Sequence, residues 1–461
     1  MLDTTKITTI TKYIFILLMM CLPLSLELTF LNTNTKILWL TEPLCALLSA
    51  LVLFHLFQQR KNNFSLTIID KLTVIFVLSL LLSSLFSNDY YVSFKYTISL
   101  LWYFCAGYLV IRLYSFSRYE IRLAIGAYLL GNLVLCLFVL NNFRKLGIFY
   151  ESSYKASYPF IVEGHTDLSV VIEPSLLIVS IILLIISLKK IKHTLILGML
   201  ITIFLAVIMF SCSKASYAGL FICFSIFLLI LLLKKPKFIL KIAYIFVPFL
   251  LLICIWQWND YRHKKEVSVL ENSYYNSGSA NYDPSDKTTY KATNMMDEVF
   301  NQSTNTDKND SNKERLNRWM IGLELYKSNP VFGVGMGTFP DKYLDFIDSN
   351  NKEIKQNLLT ENRMNIHNNF LGWLVEGGII TFISGLGLII CFLGWILMEL
   401  KKGKYSFIKI LLLLYMVSFI FHGFFHDFNQ NARVIIPFWI SLAIISKQMK
   451  SNRNLISLAS R

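Results

Sequence analysis

Apolar residues dominate this chain in long continuous runs broken by short polar connections. A membrane span needs roughly 20 mostly apolar residues. The chain supplies about a dozen such segments, at roughly 13–31, 37–57, 69–87, 94–111, 121–140, 168–188, 194–211, 217–233, 238–256, 372–399, 406–421 and 434–446. Lipid offers no hydrogen-bond partner to the backbone, so such segments are helices or closed barrels. Continuous runs select helices, because barrel strands alternate. The pattern therefore predicts an all-α polytopic integral membrane protein with about 12 transmembrane helices. One long polar interruption divides it: 1–256 carries nine spans, 257–366 is a large loop containing short helices, and 367–461 carries three spans and a tail.

Composition agrees with that pattern. The chain is 55% hydrophobic and 16% charged, with a mean hydropathy of +0.53, which excludes an ordinary soluble domain. The net charge of +15 has a topological explanation. Basic clusters at Arg60-Lys61, Arg112 to Arg122, Lys189-Lys190-Lys192, Lys234-Lys235-Lys237, Lys401-Lys402-Lys404 and Lys447 to Arg453 each follow an even-numbered span. The positive-inside rule then makes both termini cytoplasmic and sets the large loop on the opposite face. No nucleic-acid partner is needed to account for the charge. The eight cysteines lie in or at the ends of apolar segments, so no disulfide framework or zinc spacing is visible. No small-residue cleavage site follows the first apolar segment, which reads as an uncleaved span.

The large loop is uneven. From Asn272 to Lys313 it is rich in Asn, Ser, Thr, Asp and Lys, a solvated linker composition. Its Asp283, Asp286, Asp307 and Asp310 match no calcium-loop spacing, and no metal site is expected. From Glu314 the spacing of Leu316, Trp319, Met320, Leu323 and Tyr326 predicts a helix, with Arg315 and Arg318 on a neighbouring face. It stops at Ser328-Asn329-Pro330. The glycine-rich run from Val331 to Phe339 permits tight turns and close backbone approach to a ligand.

The candidate chemistry gathers on the face away from the cytoplasm. His367, in Asn-Ile-His-Asn-Asn, sits at the junction of the loop and a span. Histidine titrates near neutrality and acts as a general base without metal help. Lys214 stands between two spans, where positive charge is disfavoured by topology. Arg315, Arg318 and Arg433 have guanidinium forks suited to phosphate oxygens. Asp427 lies near Arg433 in sequence, and pairing between them is the bland alternative to substrate binding. His422 and His426 precede Asp427, and His165 lies near the sixth span; their roles stay open.

At these residues the sequence resembles the O-antigen ligase family. Ser213-Lys214-Ala215 stands where the family carries a cation, usually arginine. Arg315-Leu316, Ile321-Gly322-Leu323 and Ser328-Asn329-Pro330 resemble its loop helix. His367-Asn368 with Glu376-Gly377-Gly378 resembles its His-Asn motif, and Asp427 with Ala432-Arg433 its C-terminal signature. The resemblance runs from about Thr194 to the C-terminus; the earlier spans match in hydropathy alone. It implies a glycosyltransferase of the bacterial inner membrane with a periplasmic active site. The donor would be O-antigen on undecaprenyl pyrophosphate, and the acceptor a sugar hydroxyl of lipid A–core. It implies inverting transfer without metal, ATP or another cofactor. His367 and Arg315 would be catalytic, and Lys214, Arg318, Asp427 and Arg433 would bind substrate. O-antigen polymerases and protein O-oligosaccharyltransferases share the His-Asn region. A transporter or flippase, the alternative from another class, would show repeat symmetry and ionisable groups at mid-membrane.

Overall fold

The computed structural model describes residues 4–29, 36–58, 65–148, 150–162, 164–185, 191–234, 310–350, 365–403, 406–429 and 431–459. The predicted span at 238–256 and the linker through 309 lie outside them.

The chain opens with α1 (Thr4–Cys21). A short antiparallel hairpin follows, β1 (Leu26–Thr29) paired with β2 (Lys36–Trp39) in the register Leu26 opposite Trp39. This corrects the expected first span at 13–31 and the all-α expectation. Pro23 cannot continue a helix, so the apolar run beyond it pairs as a strand.

Next come α2 (Thr41–Gln58) and α3 (Ile68–Leu85), the latter started by a capping box between Thr67 and Asp70. Helix α4 (Tyr90–Phe104) passes through a π-turn at Cys105–Leu109 into α5 (Val110–Leu113). Within the turn Gly107 lies against Trp439 and Ile436; an added Cβ would stand 2.8 Å from the Trp439 Cβ. A second capping box, Ser117 with Glu120, starts α6 (Arg118–Leu146). The short α7 (Tyr150–Lys155) leads to α8 (His165–Ile185), which carries Pro174, and then to α9 (Ile191–Phe210) and α10 (Lys214–Lys234).

Beyond the linker stand α11 (Asp310–Ser328) and α12 (Phe339–Asn350). The predicted span at 372–399 is two helices, α13 (Asn369–Val375) and α14 (Gly378–Lys401). They break at Gly377-Gly378, where Gly378 takes a φ of +77°. The last two are α15 (Phe407–Gly423) and α16 (Ala432–Ala459).

Among the described residues, eight helices are long and apolar enough to cross a membrane, and Lys214–Ile230 and Phe407–Gly423 are shorter apolar helices. The protein is thus a helical multi-pass membrane protein. Large residues left exposed fit that setting: Ile383, Ile390 and Leu397, seven apart on α14, are 62%, 67% and 55% exposed. Such a stripe faces lipid in a chain this apolar.

Two cores result. The large one joins the spanning helices, with α14 against α3, α1 against α6 and α8 against α9. The small one holds Ile321, Val334, Phe339, Tyr343, Ile366 and Val375. It fastens α11, α12 and the glycine run to α13 as a cap on one end of the bundle.

Candidate active site

The cap is held by backbone contacts that glycine makes possible. Val334 N–H donates to Val375 O at 2.9 Å, and Gly335 N–H to Glu376 O at 3.0 Å. Gly335 and Gly337 have φ of +108° and +73°, and a Cβ on either would overlap Ser87 Oγ or the Tyr96 ring. The close approach expected of this run is therefore made to the protein's own helices. Phe339 N–H also donates to the buried Glu376 carboxylate at 3.1 Å, and Ser83 Oγ donates to the Glu376 carbonyl at 2.6 Å.

Helix α11 leads into the segment before α13. Trp319 Nε1 donates to Ile366 O at 3.1 Å, and Gly322 lets Ile366 approach closely. His367 follows with a φ of +48°, a left-handed conformation that costs a non-glycine residue of order 1–3 kcal/mol. Its N–H donates to Asn365 Oδ1 at 3.2 Å. Asn368 then caps α13, its Oδ1 accepting from Phe370 and Leu371 N–H at 3.1 and 2.9 Å. Asn365 and Asn368 thus hold the strained turn on both sides of the histidine.

The loop between α15 and α16 is bound to this turn. Phe428 N–H donates to Asn369 Oδ1 at 3.2 Å, and Trp373 Nε1 to Asn429 Oδ1 at 2.7 Å. The His426 ring stands 6.4 Å from that of His367, centre to centre. Asp427 Oδ1 accepts from Asn429 N–H at 3.1 Å, and its other oxygen lies beside Gly372.

Electrostatics set this cluster apart. Burial first, then the positive charges of Arg318 and Arg315, hold the His367 imidazole down at about 3. It is therefore neutral at ordinary pH, with its lone pair available. Burial, then His422, His367, Arg315 and His165, also hold His426 well below the usual histidine range. Burial pushes the Asp427 carboxyl up. Glu376 is raised by burial and then by the nearby Asp427. Arg318 is 4% exposed, while Arg315 is half-buried.

The predicted residues do not all meet. Arg315, Arg318, His367 and Asp427 gather around the loop–α13 turn. Lys214 is exposed at the first turn of α10, on which Gly219 abuts His422. A cation there opposes the helix dipole, so stability does not explain it. Arg433 is differently employed. Its Nη1 donates to Glu27 Oε1 at 2.6 Å, and its Nη2 to Ser25 O at 2.6 Å and to Phe160 O. Its ion-pair partner is Glu27, where sequence proximity suggested Asp427.

Two acidic residues escaped the sequence reading. Glu27 lay inside a supposed span. Glu173, on α8, pairs with His422 at 2.8 Å. Its signal was an ionisable residue within an apolar run. Among the described residues, no group of three or more His, Cys, Asp or Glu side chains has the arrangement of a metal site.

No curated protein matches the chain. A family model described as O-antigen ligase matches residues 197–386, a stretch that holds Lys214, Arg315, Arg318 and His367. Residues 197–386 are thus similar to the O-antigen ligase family, as the ordered motifs from Lys214 to Glu376 led us to expect.

Proposed function

We propose that the protein transfers O-antigen polysaccharide from undecaprenyl pyrophosphate to a sugar hydroxyl of lipid A–core, at the periplasmic face of the bacterial inner membrane. That similarity supports an enzyme of the ligase and polymerase type acting on lipid-linked polysaccharide. The observation that carries the finer reading is one neutral histidine on a strained turn, flanked by two arginines.

The reaction breaks the bond from the anomeric carbon to the phosphate oxygen and forms one to the acceptor oxygen. Charge develops on the leaving pyrophosphate, and Arg315 and Arg318 would stabilise it, with Lys214 reached from α10. His367 would take the proton of the attacking hydroxyl. Attack opposite the leaving group inverts the anomeric centre.

The same arginines couple the two roles. With the site empty, burial and then these two charges depress the basicity of His367. A bound pyrophosphate would offset the arginines' share of that depression and raise His367, while the share due to burial remains. The base is therefore strengthened by the donor it serves.

The test uses purified protein, isolated lipid-linked O-antigen and core acceptor. His367→Gln keeps a hydrogen-bonding side chain but cannot accept the proton. Transfer should fall by about 10²–10⁴-fold with donor binding retained. Near wild-type turnover would remove His367 as the base. In cells, loss of the protein should leave lipid-linked polymer beside bare core. Core carrying a single repeat unit would identify a polymerase instead.

A further inference from the structure

Two helices of the apolar body carry an ionisable pair that the transfer chemistry leaves unused. Glu173 lies on α8 immediately before Pro174, and His422 in the last turn of α15. His422 Nε2 and Glu173 Oε2 are 2.8 Å apart, and both side chains are fully buried. Taking an ionised group out of water costs several kcal/mol. In membrane proteins such groups concentrate on ion and proton paths.

The pair continues toward the site. The His422 ring centre is 6.4 Å from that of His426, which is itself 6.4 Å from that of His367. Three evenly spaced imidazoles therefore join a buried carboxylate to the candidate base. A tight packing knot would satisfy its polar atoms, but this one does not. Glu173 Oε1, His422 Nδ1 and His426 Nε2 are buried and lack a hydrogen-bond partner among the described residues. With 6.4 Å between centres, ring nitrogens come no closer than about 4 Å. That gap admits one bridging water or hydroxyl.

We propose that His426, His422 and Glu173 form a proton path that clears His367 during glycosyl transfer. This rests on the reading of His367 as the base. The acceptor O–H bond breaks and its proton goes to His367, while the electron pair of the broken anomeric bond leaves on the pyrophosphate. The proton then passes to His426 and on to His422 Nδ1, and His422 releases its Nε2 proton to Glu173. Glu173 holds that proton as a carboxylic acid until the products leave, and it returns to water by the same route. The need is geometric: donor and acceptor glycans cover His367 from solvent at the moment it is protonated.

Four variants of the full-length purified enzyme test the path: Glu173→Gln, His422→Gln, the double variant Glu173→Gln with His422→Gln, and His426→Ala. The double variant keeps an uncharged hydrogen-bonding pair and so guards against misfolding in the single ones. His426 lies on the loop after α15 and is not itself a member of the ion pair. In each, kcat should fall on the order of 10-fold or more with the donor KM unchanged. Added imidazole should restore turnover in His426→Ala, a rescue that a packing role does not provide. Wild-type kcat in the double variant and in His426→Ala would overturn the path. So would losses confined to KM, or a His426→Ala loss that imidazole does not relieve. A His367→Gln enzyme assayed alongside separates the two ideas: if it turns over normally, the base assignment fails, whatever the other variants do.

Discussion

The molecule buries charge at both ends of α3, in opposite ways. At one end the Asp70 carboxylate accepts from Arg112 Nε and Nη2 at 3.0 Å each, from Tyr108 at 2.6 Å and from Ser446 at 2.8 Å. Thr67 donates to it as well, from its N–H at 2.7 Å and its hydroxyl at 2.9 Å. One acid meets one cation, and α3, α5 and α16 are tied together. At the other end, beyond Ser83, Arg315 and Arg318 bear on neutral histidines, and two carboxyls are raised by burial. The first cluster is electrostatically closed. In the second, positive charge bears on His367 and holds it neutral, a setting suited to a polyanionic substrate. Buried charge is thus structural where it meets its counter-charge, and marks a candidate functional site where it shifts a neighbouring base.

The strongest way to break this contrast is at His367. His367→Ala should cut transfer by about 10²–10⁴-fold and leave the melting temperature of the detergent-solubilised protein unchanged. A large fall in melting temperature would make the turn a structural element.

Asp70→Asn should do the reverse. It strips the counter-charge from buried Arg112, a change that costs about 3–5 kcal/mol. Denaturation midpoints should drop sharply, while the folded fraction keeps its KM for donor. An unchanged midpoint would deny the closed cluster its structural role.

A smaller effect sharpens the electrostatic half. Arg315→Gln removes one charge that depresses His367, so its pKa rises from about 3 toward its usual value. The acid limb of kcat/KM, which reports the free enzyme, should then move to higher pH. In the wild type the folded protein favours the neutral ring. That contribution to stability is present above the unfolded value of about 6.5 and is lost as pH falls toward 3. An acid limb that stays in place would detach Arg315 from the base.

The mildest change is Lys214→Arg, which keeps the charge at the start of α10. Turnover should remain within about 3-fold of wild type, whereas Lys214→Ala should lose most of it. Equal activity in both would exclude Lys214 from donor binding.

Much of this was legible in the sequence because lipid imposes a length and a polarity that hydropathy reads directly. The spans around α2, α3 and α6 follow from that rule. The hairpin did not, because an apolar strand and a short apolar helix look alike until Pro23 is weighed. The break at Gly377-Gly378 was hidden by apolar residues on both sides. Arg315, Arg318 and His367 were marked by residue type and helical spacing. Their mutual placement was not, since it depends on the contact of α11 with Ile366 and of Asn369 with Phe428. Glu173 and His422 are 249 positions apart, and only folding makes them a pair.

The Arg433 clamp carries a consequence for how the protein is made. Glu27 and Arg433 are separated by 406 positions, so the hairpin is synthesised long before the residue that neutralises it. Until α16 inserts, the Glu27 carboxylate and the carbonyls of Ser25 and Phe160 lack that guanidinium. Helix α16 therefore locks a strand made 406 positions earlier, and a chain truncated before residue 432 should expose that hairpin to proteolysis.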